Sequence, residues 1–242
     1  AGLEMMDQLS LRAAEAFAGA GYPTDAAAIL LVELDGHATS VQAELAQVAA
    51  IMRDCGAASL RQAQDAAERE RLWLGRKSAF GAMGQINDYM CLDGTIPVSS
   101  LPFVLRRIGE MSKEFGLDVA NVFHAGDGNM HPLILFDANK PGDLETCEAF
   151  GAEILKLCVE VGGCLTGEHG VGIEKRDLMT TQFGPDDIAA QLAVKDVFDP
   201  AWLLNPAKVF PLAASAAKVA KYERRAQERG TSLPHPVYAA LI

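Results

Sequence analysis

Residues 119–136 read Val119-Ala-Asn-Val-Phe-His124-Ala-Gly-Asp-Gly-Asn-Met-His131-Pro-Leu-Ile-Leu-Phe136. Two short apolar segments, 119–124 and 131–136, are separated by a loop that contains two glycines. Apolar segments of this length around a glycine loop are typical of two strands joined as a hairpin. The stretch therefore predicts an antiparallel strand pair with one histidine at each end of its loop.

The remaining elements follow no regular strand-helix-strand order. Helical spacing and capping signals predict helices over residues 9–20, 39–53, 62–79, 99–115, 143–161, 173–179, 185–198 and 213–229. Short apolar segments predict extended structure at residues 28–34 and 89–97. A hairpin within such an order favours an α+β fold with an antiparallel sheet over a doubly wound parallel sheet. We expect one domain over residues 1–212, followed by a C-terminal helix and tail over residues 213–242.

Composition limits the class of protein. Half of the residues are hydrophobic, which excludes global disorder. Lys and Arg number 21 against 32 Asp and Glu, and the resulting charge of −11 argues against a nucleic-acid partner. The five cysteines form no CxxC motif, so a reducing compartment is expected rather than a disulfide framework. We expect neither a transmembrane segment, since no apolar stretch reaches about 18 residues, nor a signal peptide.

A second glycine-rich segment, Thr166-Gly-Glu-His-Gly-Val-Gly172, adds two candidate site residues to the two histidines. Two imidazoles and a carboxylate can bind a divalent metal, so His124, His131 and Glu168 are candidate ligands. Neighbouring side chains of extended chain point in opposite directions, which would leave His169 as a base. The alternatives are histidines that only form hydrogen bonds in the loop, and a Glu168 that interacts with a helix dipole.

Arg76 lies on an otherwise apolar helix face beside Leu72, Trp73 and Leu74. Its guanidinium would suit a carboxylate. An arginine whose aliphatic stem covers the edge of the core is the alternative.

Phosphate-binding fingerprints are absent from the sequence. Gly126 and Gly128 are followed by Asn-Met-His rather than by a helix-opening glycine, and no GxxxxGK[ST] motif occurs. These devices therefore bind no nucleotide here.

Longer motifs resemble the C-terminal domain of FAD-linked oxidases. They are residues 124–131, residues 167–172 with Lys175-Arg-Asp177, Asn205-Pro-Ala-Lys-Val-Phe-Pro211, and the shorter segments 3–7, 32–36 and 72–77. The similarity extends from the first residues to about Pro211. It is strongest to the group of glycolate oxidase D subunits and D-lactate dehydrogenases.

The resemblance implies a ferredoxin-like α+β domain that binds substrate over the FAD of a separate N-terminal flavin domain. The implied reaction oxidises a small 2-hydroxy acid, such as glycolate or D-lactate, to the 2-oxo acid by hydride transfer to FAD. Electron-transfer subunits are implied as partners. The location expected is cytoplasmic, or peripheral to the inner membrane through those subunits.

The resemblance also implies roles for single residues. His124, His131 and Glu168 match the ligands of a divalent metal such as Zn, Mn or Fe. His169 matches the base that removes the hydroxyl proton, and Arg76 matches the arginine that binds the substrate carboxylate. Asn205 matches the residue that approaches the flavin.

Two positions depart from the pattern of 2-hydroxyglutarate enzymes. Cys91 stands where those enzymes carry a second carboxylate-binding lysine, and Pro132 follows the second histidine in place of asparagine. Both differences favour a small monocarboxylate substrate.

The chain opens at Ala1-Gly-Leu-Glu4 without an initiator methionine and contains no flavin domain. We therefore expect a domain truncated at its N-terminal edge, without its opening strand and helix, that is inactive in isolation. Two other functions stay open for such a chain. One is an inactive binding or assembly module, and the other is a metallohydrolase that uses the same three ligands.

Overall fold

Five strands form an antiparallel sheet in the computed structural model, which describes residues 1–228. In order across the sheet they are β2 (Ala28–Glu33), β1 (Gly2–Asp7), β5 (Val119–Phe123), β7 (Pro132–Phe136) and β3 (Asp88–Cys91). A separate pair is formed by β4 (Gly94–Thr95) and β6 (Asn129–Met130). The predicted α+β class with an antiparallel sheet is confirmed, and β5 pairs with β7 as the hairpin pattern predicts.

Helices cover both faces of this sheet. On one face lie α1 (Gln8–Ala18) and α3 (Ala66–Met83), whose buried side chains share a core with the central strands. On the other face lie α4 (Leu101–Phe115) and α5 (Asp143–Glu160). Gly151 of α5 packs closely there against the side chains of Leu92, Met90 and Ile134. A further helix, α2 (Ala38–Asp54), has no buried side chain.

The face covered by α1 and α3 also carries the polar residues of interest. Its core includes one residue from each of three neighbouring strands: Met6, Val122 and Leu133. Side chains alternate between the two faces of a strand, so residues two positions away share this face. Glu4, His124 and His131 each lie two positions from one of these core residues, which are Met6, Val122 and Leu133 respectively. The sheet thus places three polar side chains at one end of one face.

The chain forms two compact units: the first is Ala1–Gly167, and the second begins at Glu168. It contains α6 (Met179–Gln182), α7 (Pro185–Phe198) and α8 (Leu212–Glu228). Residues 229–242, which include His235 and the predicted tail, lie outside the described part. The predicted domain limits, 1–212 and 213–242, stay a prediction.

The predicted helix over residues 173–179 is wrong. This segment forms turns, a short 3-10 helix at Arg176–Leu178 and then α6. In an α-helix the carbonyl of Gly172 would accept from the N–H of Arg176. Here it accepts instead from the N–H of Val209 at 2.7 Å. A tertiary hydrogen bond therefore replaces the first bond of the predicted helix.

Two helix starts also differ from the prediction. The helix expected from residue 62 begins at Ala66, because the Asp65 side chain accepts from the Glu68 N–H at 2.8 Å and caps it there. The helix expected from residue 39 is α2, which begins at Ala38 with His37 at the N-cap. Within residues 1–228 no helix is long and apolar enough to span a bilayer.

Candidate functional site

The two histidines of the hairpin lie side by side. His124 follows β5 directly, and its N–H donates to the Asn129 carbonyl at 3.0 Å, which closes the loop. The two imidazole centroids are 5.2 Å apart and the ring planes are nearly perpendicular, at 85°. The hairpin therefore brings together two residues that are seven positions apart in the sequence.

A backbone carbonyl orients His131. The ring is buried, with a residue exposure of 2%. Its Nδ1 lies 3.1 Å from the carbonyl oxygen of Leu92. A carbonyl oxygen can only accept, so Nδ1 carries the proton and Nε2 holds a lone pair. This is the form in which an imidazole binds a metal.

A carboxylate orients His124 in the same way, with Nδ1 toward an acceptor oxygen. Its Nδ1 lies 2.9 Å from Oε1 of Glu4 on β1. The carboxylate accepts this proton, which leaves Nε2 of His124 as the second nitrogen with a lone pair. A histidine with this support is a common metal ligand, and the ligand atoms of His131 and Asp93 lie within 4.8 Å of each other. Among the described residues, His124 belongs to no group of three or more ligand atoms that close together.

The glycine loop itself is built by close backbone approach. Gly128 is left-handed, with φ of 71°, and its carbonyl accepts from the Ile96 N–H at 2.9 Å. A Cβ at this position would lie 2.1 Å from the Ile96 carbonyl oxygen. The position therefore requires glycine both for its φ and for its space.

Asp93 organises the end of the first unit. It is fully buried, and its Oδ2 accepts from the Thr166 hydroxyl at 2.6 Å and from the Gly167 N–H at 3.0 Å. A carboxylate oxygen of Asp93 also lies within 4.8 Å of a ring nitrogen of His131. Asp93 thereby ties the residues that precede Glu168 to the side of the first unit that holds His131.

Arg76 belongs to the same face of the sheet. Its Nη2 donates to Oε2 of Glu4 at 2.8 Å, and the side chain is 8% exposed. Among the described residues, the buried Nε of Arg76 has no hydrogen-bond partner. The guanidinium therefore lies among buried groups rather than in solvent, and it retains donor capacity beyond Glu4.

The remaining predicted site residues lie in the second unit. Glu168 and His169 are exposed and stand at its start, outside regular secondary structure. Asn205 is left-handed, with φ of 47°, a conformation that asparagine tolerates better than most residues.

Three neighbours of Asn205 are left-handed as well: Trp202, Ala207 and Val209. Such backbone persists only where the surroundings hold it. Asp199 accepts from the N–H groups of Leu203 and Leu204, at 2.9 and 3.0 Å. On the other side, Arg176 donates to the Ala207 carbonyl at 2.8 Å. Asn205 thus occupies a constrained turn with an anchor on each side.

Sequence reasoning missed three groups of this site: the Glu4 carboxylate, the Leu92 carbonyl and Asp93. Glu4 carried a signal, since it is a carboxylate flanked by apolar residues in the segment Leu3-Glu-Met-Met6. Asp93 lies within residues 89–97, which were predicted only as extended structure. The Leu92 carbonyl carries no side-chain signal at all.

Comparison with known families gives one match over most of the chain. The family described as FAD linked oxidases, C-terminal domain, matches residues 1–209. A relative named glycolate oxidase subunit GlcD, from Escherichia coli strain K12, is 58% identical over 211 residues. That alignment covers 87% of this chain and 42% of the relative. A probable mitochondrial D-lactate dehydrogenase of Danio rerio is 29% identical over 215 residues, with the same two coverages.

Solved structures share the fold at low identity. The crystal structure of p-cresol methylhydroxylase with substrate bound superposes with a TM-score of 0.63 at 16% identity. The match covers 88% of this chain and 47% of that one. The chain thus spans less than half the length of each of these proteins.

Proposed function

This chain belongs to the family of FAD-linked oxidase C-terminal domains, and from that premise we propose that it is the substrate- and metal-binding part of a flavoprotein that oxidises a small 2-hydroxy acid. The resemblance predicted from its motifs is confirmed. The relatives are named for glycolate and D-lactate, which are both small 2-hydroxy monocarboxylates. A flavin domain and the other subunits of an oxidase are the partners we propose, since one relative is named as a subunit.

The observation that carries the proposal is the pair of oriented histidines. In both rings the lone pair lies on Nε2, because Glu4 and the Leu92 carbonyl each accept the hydrogen bond of Nδ1–H. We propose His124, His131 and Glu168 as the metal ligands. When bound, the metal would lower the pKa of the substrate hydroxyl, and the flavin would accept the hydride.

The chain's own residues bind the acid and remove its proton. We propose that Arg76 binds the substrate carboxylate, using donors that Glu4 does not occupy. His169 is proposed to accept the hydroxyl proton, and Asn205 to approach the flavin from its constrained turn.

The surroundings of His131 favour a substrate with one carboxylate. The Cys91 thiol lies within 4.8 Å of a ring nitrogen of His131 and donates to the Leu92 carbonyl at 3.4 Å. A cysteine side chain carries no positive charge, so it offers no charge partner to a second carboxylate. We therefore propose glycolate or D-lactate rather than 2-hydroxyglutarate as substrate.

Anaerobic flavin reduction tests the proposal. The complete flavoprotein that includes this chain is mixed with glycolate, D-lactate or D-2-hydroxyglutarate, and bleaching of the flavin spectrum is followed. The proposal expects fast bleaching with one of the two monocarboxylates. Bleaching by D-2-hydroxyglutarate alone would overturn the substrate class, and no bleaching by any 2-hydroxy acid would overturn the reaction.

A matched pair of arginine variants tests the carboxylate site. Arg76→Met removes a hydrogen bond to a charged group, worth about 1.5–3 kcal/mol, and should lower kcat/KM about tenfold to a hundredfold. The control, Arg107→Met on α4, removes an exposed arginine that pairs with Glu110 and Glu114 and should leave kcat/KM unchanged. Equal rates for both variants would exclude Arg76 from the site.

A further inference from the structure

One carboxylate connects a proposed metal ligand to the proposed substrate-binding arginine. Oε1 of Glu4 lies 2.9 Å from Nδ1 of His124, and Oε2 accepts from Nη2 of Arg76 at 2.8 Å. The Glu4 side chain is 12% exposed, so most of this bridge lies out of water. Oε1 of Glu4 thus pairs with His124, and Oε2 pairs with Arg76.

Strand register places Glu4 at this point. β1 pairs with β5 so that Met5 opposes Phe123 and Met6 opposes Val122. One residue further along the same register, Glu4 lies opposite His124. The Leu3 carbonyl accepts from the Gly126 N–H at 3.1 Å, which continues the pairing into the glycine loop.

Helix packing places Arg76 on the other side of Glu4. Met6 shares a core with Ala79 and Met83 of α3. Arg76 precedes these two by three and seven residues, so it lies on the same face of the helix. Glu4 shares the face of Met6 on β1, which sets Arg76 above it.

We propose that Glu4 is a positioning residue for both groups: it keeps His124 in the Nδ1–H tautomer and holds the Arg76 guanidinium. This inference rests on the function proposed above. It assigns to the first strand of the chain a role in metal binding that acts through His124.

The tautomer argument makes a specific prediction for Glu4→Gln. The variant has the same shape but only one acceptor oxygen. Arg76 can only donate, so it keeps that oxygen, and the amide NH₂ turns toward His124. Nδ1 of His124 must then accept, Nε2 takes the proton, and the ligand nitrogen is lost. A merely structural role for Glu4 would tolerate this isosteric change.

Nitrogen-15 NMR of the histidine rings and Zn²⁺ competition with a chelator measure both effects. In Glu4→Gln, His124 should change from the Nδ1–H to the Nε2–H pattern, while His131 keeps its pattern and reports an intact hairpin. The Zn²⁺ dissociation constant should rise about 10- to 100-fold, the usual effect of losing the support of a metal-binding histidine.

Two further variants complete the test. Glu33→Gln on β2 makes the same chemical change where the partner is Arg69 at 3.6 Å, and it should alter neither measurement. Adding Arg76→Met to Glu4→Gln frees the amide oxygen for His124, so the Nδ1–H pattern and tighter Zn²⁺ binding should return.

The outcomes separate this inference from the proposed function. Wild-type Zn²⁺ affinity together with an unchanged His124 tautomer in Glu4→Gln would overturn the role of Glu4 alone. If the wild-type chain binds no Zn²⁺ but the tautomer still switches, the metal site of the proposed function fails. The positioning of His124 by Glu4 then stands.

Discussion

The N–H of Gly167 lies between two oxygens of Asp93, 2.8 Å from its backbone carbonyl and 3.0 Å from its carboxylate. The same carboxylate accepts from the Thr166 hydroxyl, and the side chain is fully buried. A single aspartate thereby fixes the backbone immediately before Glu168. Its removal should disturb both folding and the position of the residue that follows.

Asp93→Ala leaves the Gly167 N–H with one acceptor and removes the Asp93 carboxylate from the part-buried Thr166 hydroxyl. We expect a loss of about 1–3 kcal/mol in the free energy of unfolding, the usual result of removing one partner of buried polar groups. Urea titration followed by circular dichroism measures it. Asp54→Ala, at the exposed end of α2, is the control. An unchanged midpoint for Asp93→Ala would contradict the assigned role.

Two left-handed glycines, Gly116 and Gly128, allow the cost of backbone strain to be measured separately from the cost of a steric clash. Gly116→Ala, with φ of 70° and no atom within 4 Å of the new Cβ, should cost only the backbone strain of about 1–2 kcal/mol. Gly128→Ala has nearly the same φ, but its Cβ would meet the Ile96 carbonyl oxygen at 2.1 Å. It should be clearly less stable than Gly116→Ala in thermal unfolding. Equal losses would show that the loop can move away from the Ile96 carbonyl.

The hairpin could be predicted because both of its determinants are local. β5 and β7 are short, mostly apolar segments that are buried on both faces, and the loop between them requires glycine at position 128. The two histidines follow from that hairpin. Two observed helices differ from the predicted ones. Asp65 caps α3 so that it begins at Ala66, and the Gly172 carbonyl accepts from the Val209 N–H instead of starting the helix predicted over residues 173–179.

The hydrogen bonds that orient His124 and Arg76 could not be predicted from the local sequence pattern. The pairing of Glu4 with His124 spans 120 positions, and that with Arg76 spans 72. Both depend on the register of β1 with β5 and on the packing of α3. Long-range pairings of this kind are set by the assembled sheet, so the residue types alone do not reveal them.

The constrained turn around Asn205 should be sensitive to acid. Asp199 accepts a hydrogen bond from Lys195 at 2.8 Å, which together with the N–H groups of Leu204 and Leu203 lowers the pKa of this carboxyl below its ordinary 3.8. A carboxyl with a lowered pKa stabilises the fold above its unfolded pKa, and this contribution is lost as the pH falls through the folded value.

Asp199→Asn should therefore lower the unfolding temperature at pH 7, with a difference from wild type that shrinks below about pH 4. Differential scanning calorimetry at pH 7, 5 and 3 measures the unfolding temperatures of the variant and the wild type. Asp54→Asn serves as the control. A difference that grows on acidification would reverse the sign and exclude this account.

Burial should make one cysteine inert while another reacts. Burial raises the pKa of the Cys147 thiol to about 12, whereas Cys55 is exposed near the end of α2. At pH 8 roughly one Cys147 in ten thousand is then a thiolate, the form that reacts. Iodoacetamide should label Cys55 in the native protein and Cys147 only after denaturation. Peptide mass spectrometry reads both sites, and equal native labelling would contradict the burial of Cys147.

The final prediction separates the proposed base from a proposed ligand. Glu168 and His169 are neighbours in an irregular segment, and a carboxylate oxygen of Glu168 lies within 4.8 Å of a ring nitrogen of His169, so their positions alone do not separate a ligand from a base. In the complete flavoprotein, His169→Ala should keep its metal content while turnover falls about 10²- to 10⁴-fold, the usual cost of losing a general base. His131→Ala should lose metal and turnover together, because it removes a ligand. His37→Ala, exposed at the N-cap of α2, should change neither. Elemental analysis beside steady-state rates decides between the roles. If His169→Ala loses its metal as completely as His131→Ala, then His169 is a ligand and another residue must accept the proton.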